Sequence, residues 1–263
     1  MGKVISIGNQ GFDIIREQDC FLVDKTKFIK EWWEGADSVT LIIRPRRFGK
    51  TLNMSMLNCF FSNKYSDRGD LFEGLSIWKE EKFRKLQGTY PVIFLSFADV
   101  KQTNYKDAIQ KIKNSISELY GQFKELESWE GFSEQERSHI ASVNSGMSDV
   151  AAQDSLKNLS SMLERYYGKK AIILLDEYDT PMQEAYIHGY WEPFTSFIRS
   201  LFNATFKTNP YMERAVMTGI TRVSKESIFS DLNNLRVVTT TSDMYSDCFG
   251  FTEEEVFSSL DDF

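Results

Sequence analysis

Residues 38–51 read SVTLIIRPRRFGKT, and this stretch decides the fold. Its first part, Ser38 to Arg44, is a short apolar run typical of a strand that is covered on both faces of a sheet. The run leads into a turn that ends in GKT at residues 49–51, and a helical pattern follows from Leu52 to Phe61. A strand, a glycine-containing turn and a helix in this order predict a loop whose backbone N–H groups bind phosphate.

The residue types in this turn match the chemistry of a phosphate-binding loop. Gly49 stands where a side chain would block a β-phosphate, Lys50 is long enough to reach β and γ oxygens, and Thr51 offers a hydroxyl to a magnesium ion. We therefore expect the nucleotide to be surrounded by the turn and the start of the helix: Pro45, Arg46, Arg47, Phe48, Gly49, Lys50, Thr51 and Leu52.

The turn departs from the pattern G-x-x-x-x-G-K-[ST] at its first position, which Arg44 occupies. Because Arg44 precedes Pro45, it is biased toward an extended conformation, so we expect the strand to continue through Arg44 and the turn to begin at Pro45. The cations Arg44, Arg46, Arg47 and Lys50 favour an anionic guest. The alternative is an arginine-rich surface that is solvated or paired with carboxylates.

A second strand ends in two acids at residues 171–177, AIILLDE. Asp176 is predicted to hold the magnesium ion directly or through water, and Glu177 to polarise the attacking water. The alternative is a helix cap by Asp176 and ordinary surface charge at Glu177. The two strand-end motifs occur together in the expected chain order, which favours nucleotide binding.

A third strand end, at residues 215–222, offers hydroxyls and then a cation. Thr218 is a candidate sensor of the γ-phosphate, on a strand predicted to lie between the strands that carry the other two motifs. Arg222 either neutralises transition-state charge, in cis or across a subunit boundary, or forms a structural salt bridge. Asp179 either supports the metal site from behind or caps a helix.

The rest of the chain alternates short β-branched runs with amphipathic helical patterns, which predicts an α/β fold with a mainly parallel sheet. The polar stretch from Ser128 to Ser148 is predicted to be a surface excursion of short helix and loop. Further strands are expected at Val92–Phe97, Ala171–Leu175, Arg214–Thr218 and Leu235–Thr241, and helices at Asp24–Trp33, Asn104–Leu126, Asp154–Tyr167 and after a capping box that begins at Thr252.

Composition and charge exclude several classes of protein. The 263 residues are 41% hydrophobic, 26% charged and 14% aromatic, which excludes disorder, collagen-like repeats and a disulfide-stapled miniprotein. The net charge is 31 − 38 = −7, so nucleic-acid recognition is disfavoured. Three scattered cysteines and the lack of a long apolar run predict a cytoplasmic protein with no membrane span and no zinc site.

Five stretches together resemble the bacterial AAA-ATPase-like family. The form RPRRFGKT is itself part of that family's pattern, so Arg44 does not count against membership. The resemblance rests on VDKT at 23–26, RPRRFGKT at 44–51, LLDEYDTP at 174–181, TGITRVSKESIFS at 218–230 and FGFTEEEV at 249–256.

The resemblance implies a P-loop NTPase with an AAA+-like core: a mainly parallel five-stranded sheet with helices on both faces, binding ATP and Mg²⁺. It implies an ATPase domain over residues 1–248 and the start of a C-terminal helical segment over 249–263. Members of the family usually continue into a PD-D/E-x-K nuclease-like domain, so we expect coupling to such a domain, to a partner or to further copies of the chain. The alternative is a nucleotide-binding regulatory module that does not hydrolyse ATP.

Overall fold

The computed structural model describes residues 4–221, 228–229 and 232–260. Arg222, one of the expected site residues, lies outside the described residues. The chain divides into two compact units. The first unit comprises Met1–Ala36, Ile43–Tyr90 and Val238–Phe263, and the second comprises Asp37–Ile42 and Pro91–Val237.

Five parallel strands form one sheet in the order β2-β3-β4-β1-β5, and helices flank it. Apart from Ile43 and Val238, which end β1 and β5, the strands belong to the second unit. The strands are β1 Val39–Ile43, β2 Val92–Ser96, β3 Ala171–Asp176, β4 Met212–Gly219 and β5 Leu235–Val238. The expected α/β class with a mainly parallel five-stranded sheet is confirmed.

The strand sequences explain why this sheet forms. Every residue of β1 and of β3 is buried, as expected for β-branched and apolar runs covered on both faces. In β2 and β3, Val92 pairs with Ile172 and Ser96 with Asp176, so the strand bearing the two acids is held in register along its length. The carboxyl ends of parallel strands share one edge, and β4 lies between β3 and β1, as the sequence predicted for the strand of Thr218.

Eleven helices are described, and the longer ones follow amphipathic patterns. In α8, for example, Leu156, Leu159 and Leu163 are buried at steps of three and four. The helices are α1 Phe12–Glu17, α2 Lys27–Glu34, α3 Lys50–Phe61, α4 Glu81–Leu86, α5 Tyr105–Tyr120, α6 Glu125–Ser128, α7 Glu134–Ser142, α8 Asp149–Tyr167, α9 Thr180–Ile187, α10 Trp191–Phe202 and α11 Glu253–Leu260. None of the described helices is both long and apolar enough to cross a bilayer.

The first unit is built around aromatic side chains. Phe28, Ile29 and Trp32 form the buried face of α2. Phe28 contacts Tyr245 and Phe249 edge-on, with ring centroids 5.1 and 5.0 Å away. The segment that follows β5 is therefore packed into the same core as the helix that precedes β1.

Several predicted boundaries were wrong by a few residues. β1 ends at Ile43, so the strand does not continue through Arg44, whose buried side chain is engaged elsewhere. The helix expected from Asp24 begins at Lys27, because the Asp24 carboxylate accepts hydrogen bonds from Thr26 in the preceding turn. The helix expected over 104–126 ends at Tyr120, and Gly121 follows it.

Candidate functional site

The loop after β1 belongs to the first unit and leads directly into α3. Gly49 has φ +74°, a conformation that favours glycine, and a Cβ built on it would meet no atom within 4 Å. Glycine is thus required here by the backbone, and it leaves the space above the loop open. The first turn of α3, which begins at Lys50, directs N–H groups and the positive end of the helix dipole toward that space.

Lys50 is buried, and its side chain folds back onto the loop. The Nζ atom donates hydrogen bonds to the carbonyl oxygens of Arg44, at 3.0 Å, and Pro45, at 2.9 Å. Neutral carbonyls are weaker partners for an ammonium group than phosphate oxygens are, because a charge-assisted bond between two ions is stronger. The loop therefore holds the Lys50 ammonium group in a position from which phosphate oxygens can replace the two carbonyl oxygens as its partners.

The middle of the loop is exposed. Arg46 and Arg47 both reach the surface, and Arg47 has φ +66°, an unusual backbone conformation for a residue other than glycine. Two exposed guanidinium groups beside a helix N-terminus fit the geometry of a multiply charged anion, since arginine binds phosphate through paired N–H donors.

Arg44 differs from these two arginines, because its side chain is buried and bonded within the protein. Its guanidinium donates to the carbonyl oxygens of Ile43 at 3.1 Å, Val238 at 3.5 Å and Tyr245 at 3.4 Å, and it lies 5.5 Å from the ring centre of Phe249. Burial lowers the pKa of the guanidinium. Arg44 thus joins the loop to the segment after β5, whereas Arg46 and Arg47 are exposed.

Two further hydrogen bonds join that segment to the loop and to α3. The N–H of Gly250 donates to the carbonyl oxygen of Phe48 at 3.1 Å, and the Asn53 amide donates to the carbonyl oxygen of Cys248 at 2.9 Å. A Cβ on Gly250 would approach the Phe48 ring to 2.9 Å, so glycine allows this close approach. The phosphate loop is thus supported by residues about 200 positions later in the chain.

The acidic end of β3 belongs to the second unit. Asp176 is buried, and the Thr218 hydroxyl at the end of β4 donates a short hydrogen bond to its Oδ1 atom. The backbone N–H of Glu177 donates to Thr218 Oγ1 at 3.3 Å. The structure thus brings Asp176, Glu177 and Thr218 together at adjacent strand ends.

Glu177 stands at a turn with φ +51°, and Thr180 holds its side chain. The Thr180 hydroxyl donates to Glu177 Oε2 at 3.0 Å. Non-glycine residues in this conformation are uncommon and often mark functional sites. Sequence reasoning did not single out Thr180, although its position three residues after Glu177 was a usable signal.

Asp179 supports the loop after β4. Its Oδ2 atom accepts hydrogen bonds from the N–H groups of Ile220, at 3.0 Å, and Thr221, at 2.7 Å, and from the Thr221 hydroxyl at 2.7 Å. The Tyr178 hydroxyl donates to the carbonyl oxygen of Thr221 at 2.8 Å. The side chain of Asp179 makes no capping hydrogen bond in α9 and instead holds the loop after β4, and its support of a metal site stays a prediction.

The donor atoms suit magnesium. Thr51 offers a hydroxyl oxygen and Asp176 a carboxylate oxygen, and each by itself is a hard ligand of the kind that Mg²⁺ prefers. Both stand where the chain leaves a strand or enters a helix, but they belong to different units.

A separate group of potential metal ligands in the first unit has another explanation. Glu31, Asp247 and Cys248 have ligand atoms within 4.8 Å of one another. Lys27 forms ion pairs with Glu31 at 3.1 Å and Asp247 at 2.7 Å, and its hydrogen bond lowers the pKa of Asp247. Burial raises the pKa of the Cys248 thiol. The Lys27 ammonium group therefore neutralises part of the negative charge of Glu31 and Asp247.

The parallel sheet and the strand–loop–helix unit define a P-loop NTPase fold. The model of a family described as "Predicted AAA-ATPase" matches residues 6–229, and the chain belongs to this AAA-ATPase-like family. Membership fits a fold that binds nucleotides, and the family's description is that of a predicted ATPase.

The chain is also similar to a curated protein of Azotobacter chroococcum mcd 1, described as "Uncharacterized protein in vnfD 5'region". The two are 26% identical over 261 residues, which is 97% of this chain and 44% of the relative. The chain thus spans less than half the length of that relative.

Proposed function

We propose that this chain is a Mg²⁺-dependent module that binds and hydrolyses ATP. The observation that carries the proposal is the pair of strand-end motifs on one parallel sheet, with Lys50 and Thr51 after β1 and Asp176 and Glu177 at the end of β3. The strand of Thr218 lies between them in the sheet order, which supports a common task.

Each residue has a role in this proposal. Lys50 binds β- and γ-phosphate oxygens, Arg46 and Arg47 bind outer oxygens, and the N–H groups of Phe48 to Leu52 surround the phosphates. Thr51 and Asp176 hold the magnesium ion, which neutralises charge on the phosphates when bound.

We assign the hydrolytic step to Glu177, which directly follows the proposed metal ligand Asp176. Glu177 orients and polarises the attacking water, and Thr218 detects the γ-phosphate from the neighbouring strand end. Arg222 remains a candidate for stabilising transition-state charge, in cis or from a neighbouring copy.

The alternative function, a nucleotide-binding module without turnover, is favoured by one observation. The Thr180 hydroxyl donates to Glu177 Oε2 and fixes the carboxylate, so the second oxygen, Oε1, orients water only if this conformation already directs it toward the γ-phosphate. In the ATPase proposal this arrangement is a resting state, whereas in the alternative it is permanent.

Phosphate release measured with and without magnesium separates the two functions. Lys50→Ala is expected to weaken ATP binding about 10- to 100-fold, because one or more charge-assisted bonds of about 1.5–3 kcal/mol are lost. Glu177→Gln is expected to retain ATP binding and to lower turnover about 10²- to 10⁴-fold.

The exposed residues Lys101 and Glu130 provide matched controls. Lys101→Ala and Glu130→Gln should leave binding and turnover unchanged. Unchanged turnover in Glu177→Gln would contradict the role of Glu177, and tight ATP binding with no magnesium-dependent phosphate release would favour the module without turnover.

We further propose that the nucleotide state is passed on through the segment after β5, to a partner, another copy or an appended nuclease-like domain. The bonds from Arg44, Asn53 and Gly250 support this route, because they join the loop to that segment.

A further inference from the structure

β2 is the terminal strand of the sheet, and β3 is its neighbour on one side. Two hydrogen bonds at the ends of this pairing show which residues of β2 face β3. The N–H of Ile172 donates to the carbonyl oxygen of Pro91, and the N–H of Phe97 donates to the carbonyl oxygen of Asp176, each at 3.0 Å. Because the N–H and C=O groups of a strand alternate between its two edges, β2 bonds to β3 through its odd-numbered residues.

The even-numbered residues of β2 therefore direct their N–H and C=O groups away from β3. These residues are Val92, Phe94 and Ser96, and in the part of the chain that the structure describes no strand of the sheet lies on that side. The side chains of Phe94 and Ser96 are half-buried, so this end of the strand is accessible. A terminal strand with a row of unpaired main-chain groups is a template for another extended chain.

A cavity of about 380 Å³ lies beside this edge in the second unit. Phe94 and Ser96 line it on the side of the strand, and Ser115, Glu118 and Leu119 line it on the side of α5. These three residues are three and four positions apart, so they share one face of the helix. The outer edge of β2 is thus bordered by a groove whose far wall presents a hydroxyl and a carboxylate.

The groove carries negative charge that the protein balances only in part. Asp99 also lines it, and this residue forms an ion pair with Lys111 at 2.6 Å. Asp99 does more than Glu118 to raise the pKa of Lys111. Glu118 is exposed, and it forms no ion pair with any residue that the structure describes. A cationic side chain that enters the groove can therefore pair with Glu118.

We propose that the outer edge of β2 binds an extended peptide segment of a partner protein, which adds a strand to the sheet and places a lysine or arginine beside Glu118. The main-chain groups of β2 supply the affinity in this mode of recognition, and the groove supplies the specificity. A nucleic acid would instead meet carboxylates on a chain whose net charge is −7. The inference is independent of the proposed nucleotide chemistry.

The experiment selects peptides of about eight residues from a random displayed library on the whole chain, since this is the length of an ordinary strand. We expect the selected peptides to contain lysine or arginine among β-branched residues. Fluorescence anisotropy then gives the affinity of each peptide for the unaltered chain and for its variants.

Glu118→Lys should weaken binding of the selected peptides about 4- to 25-fold. An exposed ion pair strengthens binding about two- to fivefold, and the variant replaces this attraction with a repulsion of similar size. Glu130→Lys is the matched control, because Glu130 is exposed and does not line the groove. It makes the same change of charge and should leave the affinity unchanged.

Methylation of single peptide amides tests the main-chain pairing. Only every second N–H of an added strand faces β2, so methylation at those positions should weaken binding about tenfold each. Methylation at the positions between them should have little effect. A peptide that binds as a helix, or through its side chains alone, would show no such alternation.

Hydrogen exchange detects the same contact on the protein. In the free chain the N–H of Phe94 should exchange faster than those of Ile93 and Leu95, which face β3. A saturating selected peptide should slow the exchange of Phe94 more than that of its two neighbours, because only the outward N–H gains a partner.

The proposal is overturned if the selection returns no binding peptide, if Glu118→Lys and Glu130→Lys act alike, if methylation shows no alternation, or if exchange of Phe94 is unchanged. Sedimentation of the unaltered chain tests a second copy as the occupant. A dimer that Glu118→Lys dissociates would make this edge an interface between copies, and the partner segment would be wrong. ATP turnover enters none of these measurements, so their failure leaves the proposed function standing.

Discussion

Replacing Arg44 with methionine tests whether the arginine at the first position of the loop is structural. Methionine keeps much of the length and apolar stem of the side chain but removes the guanidinium. Three carbonyl oxygens then lose a donor, those of Ile43, Val238 and Tyr245, and the Phe249 ring loses its cation.

The expected loss follows from these distances. The 3.1 Å bond to Ile43 is of ordinary length, and a hydrogen bond from a charged group contributes about 1.5–3 kcal/mol. The bonds at 3.5 and 3.4 Å are weaker, and the contact with Phe249 adds roughly 0.5–2 kcal/mol. The cost of burying the charge offsets part of the total. We therefore expect Arg44→Met to lower the free energy of unfolding by about 2–4 kcal/mol.

Urea unfolding followed by tryptophan fluorescence measures this change, with the midpoint and the slope compared between variants. Arg46→Met is the matched control, because Arg46 is exposed in the same loop. It should change stability by less than about 0.5 kcal/mol while weakening binding of ATP or tripolyphosphate. If Arg44→Met instead leaves stability unchanged and weakens phosphate binding as Arg46→Met does, Arg44 contacts the anion and the structural role is wrong.

Two further predictions concern the loop after β4 and the C-terminal helix. Asp179→Ala should lower the free energy of unfolding by about 1–3 kcal/mol in the same assay, because the N–H groups of Ile220 and Thr221 lose their charged acceptor; Asp154→Ala, at an exposed site on α8, should have little effect. Burial disfavours the charged form of Glu255, but hydrogen bonds from Lys25 and Thr252 outweigh it and lower its pKa below 4.5. The stabilisation is thus present above about pH 4.5 and lost as the pH falls through the lower folded pKa. The protection factors of the α11 amides, which correct exchange rates for their intrinsic pH dependence, should therefore fall as the pH is lowered below about 4.5, and Lys25→Met should reduce that dependence.

The strands were predictable because the apolar composition of each short run indicates that the run is buried. A run such as residues 171–175 has no polar face, so it suits only a strand covered on both sides. The site residues at strand ends were predictable for the same reason, since a polar residue directly after a buried run marks the edge of the sheet. Asp176 and Thr218 were found in this way, and they are hydrogen-bonded to each other.

The role of Asp179 was not predictable from spacing. Asp179 lies at the start of α9, where a helix cap is an equally good interpretation, and its partners Ile220 and Thr221 are 41 and 42 residues away. Only the pairing of β3 with β4 brings those N–H groups to the carboxylate.

The sequence by itself determined the class of fold, the phosphate loop and the acids expected to work with it, because each depends on the order of residues over a few positions. Only the tertiary structure decided where β2 and β5 lie in the sheet and which groups Arg44 contacts. Its guanidinium bonds to carbonyl oxygens 194 and 201 residues away, and which distant backbone groups need a donor cannot be read from the residues beside it. Local patterns encode burial and backbone conformation, whereas the partner of a buried charge depends on how remote segments pack.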